Sequence, residues 1–204
     1  VEQGALAHGG GAAVAYVAVE GVVRELSLPG QDRRVTGSHD VGSDRPVAMP
    51  VTQWALDTVP EVDVATWRLS IGVAGRQPAE LDRDALLAMA TDEVQAVLDC
   101  TGGWYASQRW RGVRLDRLLP ASLPPDARSL VVVSVTGYAR RSPLRDVPFL
   151  LIATRVAGRP LSTGHGAPAR LVAPGRRGFW WVKWVIRLET SGLPWWIQSP
   201  YPLT

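Results

Sequence analysis

Glu93-Val94-Gln95-Ala96-Val97-Leu98-Asp99-Cys100-Thr101-Gly102-Gly103 is the stretch on which the reading of this chain turns. Apolar residues dominate its first half in the pattern of a strand over 93–98, and Gly102 and Gly103 mark the turn that closes it. The strand therefore delivers Cys100 into a glycine turn. Cys100 is the one cysteine among 204 residues, so its uses are packing, nucleophilic chemistry or metal ligation rather than an intrachain disulfide. Thiolate suits a soft or highly covalent metal centre, and glycines after it let a large ligand approach the backbone.

Two further segments carry chemistry in chain order. The first is Trp110-Arg111-Gly112-Val113-Arg114-Leu115, with Leu118 and Leu119 beyond. The second begins at His165, reaches Arg170 five residues later, and continues to Trp181, Val182 and Lys183. Lys183 is the sole lysine; every other basic side chain except the histidines is arginine. An anionic ligand needs fixed positive donors and backbone N–H groups of this kind.

Cysteine, tryptophan motif, histidine, arginine and lysine, in this order and at these spacings, resemble the sulfite oxidase-type molybdopterin oxidoreductases. The resemblance spans about residues 47–201. It implies an α+β fold with a mixed β-sheet core and short helices, holding one molybdenum–molybdopterin cofactor. It makes Cys100 the molybdenum ligand and assigns cofactor contacts to Ser134, His165, Arg170, Trp181, Val182 and Lys183. Thr52, Gln53 and Trp54 fall where the family supplies further pterin contacts, although the Arg-Asn-His found there in sulfite oxidases is missing. Tyr201, five residues after Trp196, matches an active-site tyrosine. The implied activity is oxygen-atom transfer on a small S- or N-oxide or a sulfite-like substrate, in the single-domain, reductase-like branch. The alternatives are an inactive binding module of the same fold, and a cysteine-nucleophile enzyme with His165 as base.

The rest of the chain agrees with that fold class. Strands are predicted at 66–73, where Trp67, Leu69 and Ile71 alternate with Arg68 and Ser70, and at 130–135, a β-branched run suited to burial on both faces. Others are predicted at 149–156, 170–173 and 180–188. Residues 82–89 show helical spacing, and 113–119 read as one or two helical turns. Strands dominate, helices are short, and the connections are rich in Gly and Pro, which favours α+β with a mixed sheet over a doubly wound fold.

With 46% hydrophobic residues the chain can bury one sizeable core. The net charge of +3 comes without a Lys/Arg-rich run, so no nucleic-acid partner is expected. No P-loop, dinucleotide fingerprint or Cys-x-x-Cys-His is present. The expected division is an extension and linker over 1–46, irregular from 31, and a cofactor domain over 47–204. Either the first residues, within 1–24, are the end of a membrane anchor lying upstream, or 12–26 form an ordinary surface helix. No run approaches the roughly 20 apolar residues of a membrane span. The expected electron partner is a haem-bearing membrane protein or an upstream membrane segment, with the domain on the extracytoplasmic side.

Overall fold

The computed structural model describes residues 33–53 and 58–199. The stretch 12–26, Trp54 and Tyr201 lie outside them.

The chain builds two mixed sheets. The first contains β1 (His39–Asp40), β4 (Asp92–Asp99), β5 (Trp104–Arg114), β8 (Leu151–Val156), β9 (Arg159–Pro160) and β10 (Arg170–Val172). The second contains β2 (Arg68–Gly72), β3 (Ala79–Asp82), β6 (Ser129–Ser134), β7 (Ala139–Pro143) and β11 (Val185–Ser191), in the order β3-β2-β11-β6-β7. β2 and β11 run parallel; the other pairs of this second sheet are antiparallel. One apolar cluster joins the sheets, with Leu69, Leu130, Val132 and Leu188 from the second and Val113, Ile152 and Leu171 from the first. All six residues of β6 are buried, as its β-branched run requires.

β4 and β5 form the hairpin that presents Cys100. They pair from Asp92 opposite Gly112 to Asp99 opposite Tyr105. Cys100 N–H donates to Trp104 O at 2.8 Å, and Gly103 turns the chain at φ 83°. At the far end of the hairpin β5 crosses β8 closely at a register shift. A Cβ on Gly112 would stand 1.9 Å from Ile152 O, so only glycine fits there.

The helices are short. In α1 (Arg83–Met89) the Asp82 carboxylate caps the N-terminus by accepting from Ala85 N at 2.8 Å, and Leu86 is buried. α2 (Leu115–Leu118) is a single turn that buries Leu115 and Leu118.

Three predicted elements differ. Val113 belongs to β5, and the helical turn starts only at Leu115. Phe149 ends a 3-10 turn, Leu144–Phe149, before β8 begins. The single strand predicted at 180–188 is two things: a 3-10 turn, Gly178–Trp180, and then β11 from Val185. Trp184, at φ 50°, breaks any continuous pleat between them. The alternating indoles there follow the cavity wall and core, not a strand. The described part of the predicted linker, residues 33–46, is docked. His39 N–H donates to Gly103 O, Val41 N–H to Tyr105 O and Asp44 N–H to Ser107 O, so the first sheet begins at β1.

Candidate active site

A cavity of about 350 Å³ opens where the β4–β5 turn, the loop after β6 and the segments 50–53, 162–166 and 178–184 converge. Of the residues singled out in the sequence, Cys100, Thr52, Gln53, Ser134, His165, Arg170, Trp181 and Lys183 all line it. Val182 does not: it is fully buried, and its carbonyl accepts from Leu171 N at 2.7 Å, joining the segment to β10.

Cys100 Sγ lies 3.5 Å from Thr52 Oγ1 and accepts from Gly102 N–H at 3.4 Å. Two cations flank the same space. Arg170 is fully buried, donating to His165 O at 3.0 Å and to Trp181 O at 3.5 Å, with its guanidinium over the rings of Trp110 and Trp181. Burial pushes its pKa down, and a Cys100 thiolate pulls it back up. Lys183 Nζ donates to Thr52 O at 2.7 Å, Gly164 O at 2.8 Å and Gln53 Oε1 at 3.5 Å. Burial and then Arg170 push its pKa down to about 7, again opposed by Cys100. Lys183 thus ties three loops together beneath the cavity. Gly166, at φ 104°, lets them close: a Cβ there would meet Arg170 Cβ at 3.0 Å and Lys183 Cβ at 3.1 Å.

His165 is a structural residue of this wall. Met49 O can only accept, so His165 Nε2 carries the proton that reaches it at 3.1 Å, and Nδ1 accepts from Ser162 Oγ at 2.7 Å. Burial and the Arg170 charge lower its pKa and keep the ring neutral. With both nitrogens engaged, it is no general base for Cys100, and the cysteine-nucleophile alternative loses its partner. Ser134 Oγ accepts from Thr136 N at 3.2 Å and from Thr136 Oγ1 at 3.1 Å, and both residues line the cavity.

Several groups escaped the sequence reading. Trp104, Tyr138 and Phe179 are cavity wall. Tyr138 donates its hydroxyl to Phe179 O, and burial raises its pKa to about 12. Behind Cys100, the buried Asp99 carboxylate accepts from Ser38 Oγ at 2.7 Å and Thr36 Oγ1 at 2.8 Å and pairs with Arg34 at 3.3 Å and Arg177 at 3.8 Å. Arg177 also donates to Cys100 O at 3.2 Å. The available signal was an acidic residue closing an apolar strand, which demands buried partners.

The family profile described as the oxidoreductase molybdopterin binding domain matches residues 56–195. The chain belongs to that family. Similar proteins include the catalytic subunit of the protein-methionine-sulfoxide reductase MsrP of Xanthomonas axonopodis pv. citri, 29% identical over 62% of this chain and 45% of its own length. Mouse mitochondrial sulfite oxidase is 29% identical over 65% of this chain and 30% of its own length. Barley NADH nitrate reductase is 26% identical over 78% and 22%. The crystal structure of the sulfane dehydrogenase SoxCD from Paracoccus pantotrophus superposes with a TM-score of 0.62 at 26% identity, covering 66% of this chain and 40% of that one. The chain thus spans less than half the length of these relatives. The α+β fold with mixed sheets and short helices is the one the sequence implied.

The residues present suit the family's cofactor. Gln53 Nε2, Trp104 Nε1 and Arg170 Nε are buried N–H groups at the cavity with no acceptor among the described residues. Unpaired buried donors are costly, and a pterin bearing a phosphate brings many acceptors. A thiol, two cations and three open donors form a donor set for an anionic, sulfur-ligated group.

Proposed function

We propose that this protein is a molybdenum-dependent oxidoreductase that transfers an oxygen atom to or from a small S- or N-oxide or sulfite-like substrate. The observation that carries the reading is the position of Cys100 Sγ in the cavity, held between Thr52 Oγ1 and Gly102 N–H and facing the fields of Arg170 and Lys183. Thiolate is the form of cysteine that ligates metal. When bound, the molybdenum centre supplies the redox step. The chain supplies the rest. Arg170 and Lys183 offset the cofactor's negative charge, and Gln53, Trp104 and Arg170 offer their unpaired N–H groups to it. The walls of Trp104, Phe179 and Trp184 exclude water and hold a small substrate against the site. Tyr138, its proton retained and given to Phe179 O, braces the wall and is not a proton donor at neutral pH.

The substrate class is supported by relatives whose names include a sulfoxide reductase and a sulfite oxidase. The proposed electron partner is a haem-bearing membrane protein or an upstream membrane segment, on the extracytoplasmic side. No helix among the described residues is long and apolar enough to cross a membrane.

The test is metal analysis of protein produced in a host that makes the cofactor. About one molybdenum per chain is expected, and Cys100→Ser is expected to lose redox activity and most of the metal while keeping the wild-type circular dichroism spectrum. Equal metal and turnover in the variant would remove Cys100 from the site.

A further inference from the structure

Phe179 forms part of the cavity wall, and a file of packed rings runs outward from it. Ring centroids are 6.2 Å apart from Phe179 to Trp180, 6.1 Å from Trp180 to Trp195, and 6.1 Å from Trp195 to Trp196. The file starts inside and ends in solvent: Trp180 is 9% exposed and Trp196 63%. Leu193 and Ile197, each 51% exposed, belong to the same segment. Exposed indoles beside exposed aliphatics mark surfaces that meet other proteins, where tryptophan dominates the binding energy.

The surroundings are cationic. Arg140 and Arg176 each hold a guanidinium 4.9 Å from the Trp180 ring, and Arg176 lies 5.7 Å from that of Trp195. Arg141 is tied to the segment through Gln198, whose side chain bonds both its N–H and its carbonyl. Arg145 and Arg176 share the single carboxylate of Asp146. Arg145, with its side chain 74% exposed, and Arg176, 29% exposed, stand here against that one acid, with the buried Arg140 behind them.

We propose that the Trp195–Trp196 face is the docking surface for a one-electron carrier protein whose redox centre is ringed by carboxylates, and that the ring file is the packed path between that centre and the cavity. The proposal rests on the oxidoreductase reading above. In each event one electron leaves the bound centre and enters the carrier, or moves the opposite way during reductive turnover; no bond forms or breaks. The two guanidiniums over Trp180 disfavour a cation radical on that ring, because like charges repel strongly away from water. The rings therefore serve as a bridge, and none of them is oxidised. Carboxylates on the carrier and arginines here steer the encounter and set its orientation.

The test uses molybdenum-loaded protein without substrate and follows its reduction in a stopped-flow instrument by two donors. One is a reduced plant-type ferredoxin, an acidic one-electron protein; the other is methyl viologen radical, a small cation that needs no docking surface. Trp196→Ala is expected to slow reduction by ferredoxin about tenfold or more while changing the viologen rate less than about twofold. Arg145→Glu is expected to slow the ferredoxin reaction and flatten its dependence on salt. Unchanged ferredoxin rates in both variants would overturn the proposal, as would an equal loss with both donors. So would a wild-type dimer in sedimentation that Trp196→Ala dissociates, since the face would then belong to a second copy. If viologen fails to reduce even the wild-type protein, the oxidoreductase reading falls first and takes this proposal with it.

Discussion

Arg170 sits fully buried between two indoles, with two backbone carbonyls accepting from it and one N–H left over for a ligand. Arg170→Ala strips His165 O and Trp181 O of a charged donor. Hydrogen bonds from charged groups contribute about 1.5–3 kcal/mol each, so a loss of roughly 3 kcal/mol is expected, which lowers Tm by about 6–12 °C for a chain of this length. Arg187→Ala is the control: its side chain is 51% exposed and pairs with Glu189 on its own strand, so a change within about 0.5 kcal/mol is expected. Equal melting shifts in the two variants would deny Arg170 its role. Lys183 gives a pH test. Its pKa is about 7 in the fold, against 10.5 for a free lysine side chain, so between these the unfolded chain binds the extra proton. Stability of the cofactor-free protein is therefore expected to rise from pH 7 to 9, to be lost as pH falls through 7, and to lose this slope in Lys183→Met. A melting series across that range checks it. Arg170 and Lys183 were legible because their spacing follows a motif. Asp99 and Tyr138 were not, because their importance comes from partners distant in the chain.

At the scale of elements, the hairpin of β4 and β5 does most to build the site, and the first segment of the described chain anchors it. Asp99 holds that segment through Thr36, Ser38 and Arg34 while Arg177 grips both Asp99 and the Cys100 carbonyl. Removing the carboxylate takes the acceptor from the buried Ser38 hydroxyl and from Thr36, and one partner from each of the half-buried Arg34 and Arg177. Asp99→Ala is expected to cost about 3 kcal/mol, the low end for breaking a buried pair. It is also expected to speed hydrogen exchange at His39 and Val41, whose amides donate to Gly103 O and Tyr105 O. Exchange at those amides no faster than in the wild type would show that the strand pairing holds the segment unaided. The sequence revealed the strands whose apolar residues alternate or run continuously, β2, β4, β6 and β8, because burial alone dictates them. It concealed β1, which is two polar residues long and exists only because β5 offers an edge. It also merged the 3-10 turn at Gly178–Trp180 with β11, since indoles that line a cavity mimic the period of a strand.

Across the whole molecule, the cavity is assembled from segments that are far apart in sequence and adjacent in space, with the two sheets behind them sharing one core. A ligand that bridges such segments stabilises the fold as a unit, because it binds the folded chain and not the unfolded one; at a thousandfold excess over Kd the gain is about 4 kcal/mol. The effect is not expected to be uniform. β2, β3 and α1 contribute no residue to the cavity lining, so their exchange is governed by the core and by sheet pairing. Residues 50–53, 100–104, 134–138, 163–166 and 178–184 gain partners when the buried N–H groups of Gln53, Trp104 and Arg170 are met. Hydrogen–deuterium exchange of the molybdenum-loaded and cofactor-free protein is therefore expected to show added protection concentrated in those five segments, little change in β2–β3, and a higher Tm for the loaded form. Cys100→Ser is expected to abolish both differences under loading conditions. Protection spread evenly over both sheets would instead mean that the ligand acts on global stability alone, and protection centred on α1 would place it somewhere other than this cavity.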